Sequence, residues 1–217
     1  MNMNFKRRTL AQLAAYAAVA LSSVAFLISP VHAADETPDA FVQRMSGDVL
    51  DTIKADKSIK AGDVNKIMLL VDSKIMPNID FQRMTASAVG PSWRQATPAQ
   101  QKQLQDEFKT LLVRTYAGAL DQVTDQTVSV RPFRGALTDT EVLVRTEVKG
   151  NGDPVQLDYR LEKAPGGWKI FNLNVLGVWL VDTYRSQFTQ EISKGGIDGL
   201  IATLSARNNK SAASARK

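Results

Sequence analysis

The fold turns on residues 141–162, EVLVRTEVKGNGDPVQLDYRLE. Val142, Val144, Thr146 and Val148 alternate with Glu141, Leu143, Arg145, Glu147 and Lys149. Beyond Asn151-Gly152-Asp153, Val155, Leu157, Tyr159 and Leu161 alternate with Gln156, Asp158, Arg160 and Glu162. A period of two on both sides of a turn predicts two antiparallel strands, each with one apolar and one polar face. Working outward, residues 127–133 alternate through Val128 and Val130, and Pro165-Gly166-Gly167 is another turn. Residues 168–175 then predict a fourth strand, with Phe171, Leu173 and Val175 set against Asn172 and Asn174. Four strands on short connections form an antiparallel meander with one face to bury.

Before the strands the apolar period is helical. Thr37-Pro38 starts a helix whose face carries Phe41, Val42, Met45, Val49, Leu50 and Ile53. A second helix follows Asp63, bears Val64, Ile67, Met68, Val71, Ile75 and Met76, and stops at Pro77. A short helix over 81–89 ends at Gly90-Pro91, and Thr97-Pro98-Ala99-Gln100 is a capping box opening a long one. After Gly177, helices over about 178–193 and 197–204, separated by Gly195-Gly196, close the chain. The class is α+β, a four-stranded curled antiparallel sheet covered by helices, with a helical subdomain from the N-terminal half.

The two ends of the 217-residue chain read differently from its body. Lys6, Arg7 and Arg8 precede an uncharged apolar run to Ile28, and Val31-His32-Ala33 supplies a cleavage pattern. Residues 1–33 therefore read as a secretory signal. Its removal leaves 184 residues, lowers the bases from 27 to 24 against 22 acids, and takes the formal charge from +5 to +2. Residues 34–206 hold 20 bases and 22 acids, so the body has no basic excess for nucleic acid. The single histidine, His32, leaves with the signal, and there is no cysteine. Ser-His-Asp and Cys-His nucleophiles are excluded, as are zinc sites built from His or Cys. An exported chain without disulfides is stabilised by its core alone. Residues 208–217, basic and without large apolar side chains, read as a disordered tail.

No reaction assembles from what remains. Asp158 and Tyr159 are strand neighbours and point to opposite faces. Asp158, Arg160 and Glu162 with Arg145 and Glu147 read as a solvated face with cross-strand ion pairs. Asp72 and Asp80 are the candidate carboxylate bases, set against the plainer readings of a helix-surface charge and an N-cap. The rest is apolar, and inward apolar positions do not distinguish a filled core from a lined cavity.

Several segments, taken in order, carry a resemblance. They are Val89-Gly90-Pro91-Ser92-Trp93, then Ala96-Thr97-Pro98 with its Phe- and Tyr-bearing helix, then Gly167-Trp168-Lys169-Ile170-Phe171-Asn172. Leu176-Gly177-Val178-Trp179-Leu180-Val181, Thr183-Tyr184-Arg185-Ser186-Gln187-Phe188 and Gly196-Ile197-Asp198-Gly199-Leu200-Ile201 complete the set. The sequence resembles the MlaC, or toluene-tolerance, family from about Phe41 to Leu204. Two positions depart from the pattern: Trp179 where a small polar residue is usual, and Asn172 where Asp is frequent.

The resemblance implies one NTF2-like lipid-binding domain over 34–207, mainly helical over about 37–121, sheet over about 126–176, and helical again over about 178–205. It implies a periplasmic phospholipid carrier, not an enzyme, with no cofactor beyond the bound phospholipid. Its partners would be an inner-membrane ABC lipid transporter complex and an outer-membrane lipoprotein complex. A monomer without stable membrane insertion is expected. The acyl chains would lie against Ile67, Val71 and Ile75, and against Phe108, Leu112 and Tyr116. Val144, Tyr159, Leu161, Leu173 and Val175 would line them from the sheet, and Leu180, Tyr184 and Phe188 from the last helix. Arg131 and Arg134, flanking Phe133, are candidates for a mouth that meets phosphate, or for a plain solvated strand end. Two other classes stay open: an NTF2-like enzyme acting on an apolar substrate, and a chaperone or adaptor with an exposed apolar groove.

Overall fold

Helix α1 (Pro38–Ala55) begins behind an extended Thr37 with Pro38 in its first turn. The structure is a computed structural model that describes residues 36–120, 123–136, 138–150 and 152–214. The expected signal segment, Asn151 of the expected turn and the last three residues lie outside the described residues. Asp56 caps α2 (Lys57–Lys60), accepting from the Ser58 and Ile59 N–H groups. Asp63 caps α3 (Val64–Leu70) in the same way through Asn65 and Lys66. The apolar stripe beyond Leu70 does not stay α-helical: Val71–Ile75 form a π-helical turn and Met76–Asn78 a 3-10 turn. Asp80 caps α4 (Phe81–Val89) by accepting from the Arg83 N–H at 2.8 Å, the N-cap expected of it. Helix α5 (Pro98–Tyr116) has both bonds of the Thr97/Gln100 capping box.

The sheet follows as β1 (Thr127–Val130), β2 (Glu141–Lys149), β3 (Val155–Ala164), β4 (Gly167–Val175) and β5 (Val178–Trp179), antiparallel and in sequence order. The strand number corrects the expected four. Val178 and Trp179 do not begin the last helix but fold back on β4, because Leu176 and Gly177 both take positive φ and reverse the chain. Helix α6 (Leu180–Ser214) starts after them and breaks at Gly196, whose φ of 65° interrupts the helical backbone.

A bulge changes the facing of β4. Arg160 pairs with Asn172 but Leu161 pairs with Ile170, so Phe171 is an extra residue. Trp168 and Ile170 therefore share the inner face with Leu173 and Val175, whereas Phe171 turns outward under the Arg83 guanidinium, 3.7 Å from its ring centroid. Period-two counting put Phe171 inward and missed the other two. The outer face is also not simply solvated. Asp158, Asn172 and Asn174 are buried there, and Trp179 pairs with Asn174 beside Asp158. The ion pairs on that face include Arg131 with Glu147 at 2.9 Å, Lys149 with Glu147 at 3.4 Å, and Arg83 with Glu141 at 2.6 Å and with Glu162.

Side chains pack in three groups. Phe81, Met84, Leu104, Phe108, Tyr184 and Phe188 join α4, α5 and α6. Phe41, Val42 and Met45 of α1 cover Val142, Val144, Tyr159, Leu161, Trp168 and Ile170 on the sheet. Ile53, Ile59, Ile67, Leu70, Val113 and Ala117 form a smaller group among α1, α2, α3 and α5. The tail expected to be disordered from Asn208 is helical through Ser214. Asn208 is buried, donates to the Glu107 carboxylate at 2.6 Å and accepts from Arg114 through its backbone carbonyl. Composition did not disclose that anchor, because Asn is polar by type and buried here by partner.

Candidate functional site

The inner face of the sheet is built in rows across the strands. Val142, Leu161 and Ile170 make one row, all buried. Val144, Tyr159 and Leu173 make the next, with Leu173 already half-buried. The third runs Val130, Thr146, Leu157, Val175 and Val178, and the fourth Val128, Val148 and Val155. In these two rows every residue except Thr146 is partly or fully exposed. The face is thus sealed at one end and uncovered at the other. At the sealed end, the Trp168 indole N–H donates to the Glu36 carbonyl, the Asp80 N–H donates to the Ile170 carbonyl, and Lys169 donates to the Pro77 carbonyl. Alternation of small and branched apolar residues keeps the rows apolar to the uncovered end.

The residues expected to line acyl chains divide between these environments. Ile67, Phe108, Val144, Tyr159, Leu161, Leu180, Tyr184 and Phe188 are buried among the protein's own side chains. The Phe108 ring lies 4.9 Å from Tyr184 and 5.2 Å from Phe188, both edge-on, which is core packing. Val71, Ile75, Leu112, Leu173 and Val175 are half-buried, and Tyr116 is exposed. Leu112, Leu173 and Val175 all pack against the α4–α5–α6 group, and Val71 packs against the smaller one. Lys109 on α5 pairs with Asp72 at 2.8 Å and so holds the π-helical turn carrying Val71 and Ile75 beside α5. The sequence reading omitted Leu157, Val148, Val155 and Val178, though their alternation placed the first three on the same face.

Polar groups on the inner face are few. The Tyr159 hydroxyl shares a 3.4 Å hydrogen bond with Ser46, and burial pushes its pKa up, so it is a neutral anchor at ordinary pH. Burial likewise raises Tyr184, and partial shielding by neighbours raises Tyr116 in the same direction although much of its side chain is exposed. Asp158, adjacent in sequence, faces the other way. No acid–base pair forms beside Tyr159 among the described residues. No group of three or more His, Cys, Asp or Glu side chains able to hold a metal is found among them either.

Two surface clefts are basic. One of about 580 Å³ is lined by Arg131, Phe133, Arg134, Leu143 and Arg145 on the outer face. Arg131, paired with Glu147, therefore lies on the side of the sheet opposite the apolar rows, and Arg134 lines the same cleft. The other, of about 660 Å³, has Arg83, Trp93, Arg94 and Arg185 around Gly90 and Pro91.

This geometry defines a curled-sheet α+β protein with an apolar inner face left uncovered at one end. The family model for the MlaC protein matches residues 43–206, and the chain belongs to that family. It is 29% identical over 167 residues to toluene tolerance protein ttg2D of Pseudomonas putida, covering 76% of this chain and 77% of that one. It is 21% identical over 184 residues to the intermembrane phospholipid transport system binding protein MlaC of Haemophilus influenzae, covering 83% and 86%. A solved phospholipid-binding protein from Ralstonia solanacearum, in complex with a phospholipid, is 52% identical with a TM-score of 0.79. That comparison covers 82% of this chain and 99% of the other. Among the described residues, no helix is long and apolar enough to cross a membrane.

Proposed function

We propose that this protein is a periplasmic, non-catalytic carrier of glycerophospholipid, exported by a cleaved N-terminal signal. It shuttles lipid between an outer-membrane lipoprotein complex and an inner-membrane ABC transporter, in the service of outer-membrane lipid asymmetry. The observation that carries the reading is the phospholipid held by the Ralstonia relative, whose fold and half of whose residues this chain shares. The apolar rows that run uncovered to one end of the sheet agree with it.

A diacyl lipid carries on the order of 30 methylenes, each costing about 0.8 kcal/mol to expose to water. The sum, roughly 24 kcal/mol, forbids free diffusion across an aqueous space, since each 1.4 kcal/mol is a factor of ten. A carrier must offer the tails a dry surface nearly as favourable as the bilayer, and not much more favourable, or release fails. In this reading Leu157, Leu173, Val175, Leu112, Val71 and Ile75 face the tails, because they are apolar and only half-covered by the protein's own side chains. Phe108, Leu161 and Phe188 form the wall behind them. Tyr159 and Ser46 satisfy one another, and the buried Thr146 hydroxyl donates to the Leu157 carbonyl, so these polar groups do not repel hydrocarbon.

The test is extraction of lipid from protein purified without detergent, read by mass spectrometry, with uptake from vesicles by the delipidated form. Near-stoichiometric phospholipid is expected. Absence of phospholipid together with failure of uptake overturns the reading.

A further inference from the structure

The turn between β4 and β5 combines strain with exposure. Leu176 has a φ of 52° and is the one described residue other than glycine with positive φ. Gly177 follows at 87°. Positive φ at both central residues of a two-residue hairpin is the type I′ pattern, which favours Asn-Gly or Asp-Gly and disfavours a bulky side chain at the first position. The turn is held by the Asn174 Oδ1, which accepts from the Gly177 N–H at 2.8 Å, and by the Leu176 N–H, which donates to the Gln156 carbonyl at 3.0 Å. Strain held in this way is a reason to ask what the side chain does.

Leu176 is 65% exposed, Val178 52% and Val155 37%. They adjoin one another through the register. Val178 pairs with Val175, Val175 with Leu157, and Leu176 bonds to Gln156 next to Val155. They form the outer lip of the apolar rows, so the uncovered inner face continues onto the hairpin tip without a polar break. On the other side of the same hairpin, the Arg160 guanidinium lies over the Trp179 ring at 4.2 Å. Trp179 sits about two residues behind the tip, about 7 Å at strand rise. Aliphatic side chains foremost, with an indole and an arginine set back by that depth, match the acyl and headgroup layers of a bilayer boundary.

We infer that the β4–β5 hairpin is a lipid-surface probe: Leu176, Val178 and Val155 enter the headgroup–acyl boundary of a phospholipid bilayer, shallowly and reversibly. Trp179 and Arg160 stop at headgroup level. The hairpin then places the uncovered end of the inner face against the lipid it takes or leaves. This role deepens the carrier reading and rests on it for its purpose, while the contact itself is measurable without it.

The chain has no cysteine, so Leu176→Cys can be labelled alone with an environment-sensitive fluorophore, with Ser129→Cys on exposed β1 as control. Vesicles of phosphatidylethanolamine and phosphatidylglycerol should shift the label at 176 to the blue. Brominated acyl chains should quench it, and the label at 129 should do neither. Leu176→Asn suits the turn better than Leu, so it should match or exceed the wild type in melting temperature. It should still slow lipid uptake from vesicles about tenfold, by loss of an apolar anchor. No blue shift and no quenching at 176, in protein that still takes up lipid, overturns the inference and leaves the carrier reading standing. Wild-type uptake by Leu176→Asn overturns it as well. A shift and quenching in protein that takes up no lipid sinks the carrier reading and leaves the bilayer contact in place.

Discussion

The side-chain oxygen of Asn172, on β4, accepts a hydrogen bond from the backbone N–H of Val181 at 3.2 Å, in the first turn of α6. The same oxygen accepts from the Leu173 N–H at 2.9 Å. One buried side chain therefore ties the sheet to the helix that covers its edge, and satisfies a donor that a helix start leaves open. Asn172→Ala should cost about 1–2 kcal/mol in denaturant unfolding, by leaving both N–H groups unpaired. Asn172→Asp keeps the acceptor and adds negative charge at a helix N-terminus, so it should lie close to wild type at neutral pH. Equal losses in both variants would mean that the hydrogen bonds are not what the position supplies.

Stability and lipid loading should separate. Phe108 is fully buried between Phe81, Tyr184 and Phe188, so Phe108→Ala should lower stability by about 3–5 kcal/mol. Val175→Asp, at a half-buried place on the third row, should cost far less stability but reduce bound phospholipid several-fold. Paired melts and lipid quantification on the two variants check this. A reversed pattern would place the lipid in the α4–α5–α6 core.

Arg83 joins α4 to the sheet through Glu141, Glu162 and the face of Phe171. Its side chain is about one-third exposed, at 31%, so the charge component is screened. Arg83→Lys keeps the charge but loses the planar contacts, and should cost about 1 kcal/mol. Most of that loss should persist at 1 M salt, since stacking is less screened than the ion pairs. Complete recovery in salt would assign the effect to charge alone.

Tyr159 sets an alkaline limit. Burial holds its pKa above the ordinary value of 10.0, so the folded state binds that proton more tightly than the unfolded chain. Its contribution is complete below pH 10 and is lost as pH rises from the unfolded value through the folded one. Tyr159→Phe should flatten the fall in stability above pH 10, and at neutral pH cost only about 1 kcal/mol from the Ser46 bond. Tyr116 and Tyr184, raised in the same direction, should keep part of the slope. Absorbance titration beside melts at pH 9 to 11 tests it.

The helices, the α+β class and the inward side of β2 and β3 were legible because apolar periods of 3.6 and 2 are local properties. The capping box at Thr97 and the cap at Asp80 were legible for the same reason, each resting on residues within one turn. The fifth strand was not, because Leu176 has no tendency toward positive φ and the pairing of Val178 with Val175 holds it there. Phe171 was misassigned because one extra residue in β4 reverses the parity of everything before it, and parity counting has no means of seeing an insertion. The buried Asn208 escaped because its partners, Glu107 and Arg114, stand about a hundred residues away.

The sequence by itself determined the family, the order of the helices and of the first four strands, and the apolar character of the inner face, all of which are written in local order along the chain. Only the tertiary structure decided which of those apolar side chains are sealed and which stay uncovered. Coverage depends on what packs from elsewhere: α1 closes one end of the sheet over Val142, Leu161 and Ile170, and no described element closes the other end over Val155 and Val178.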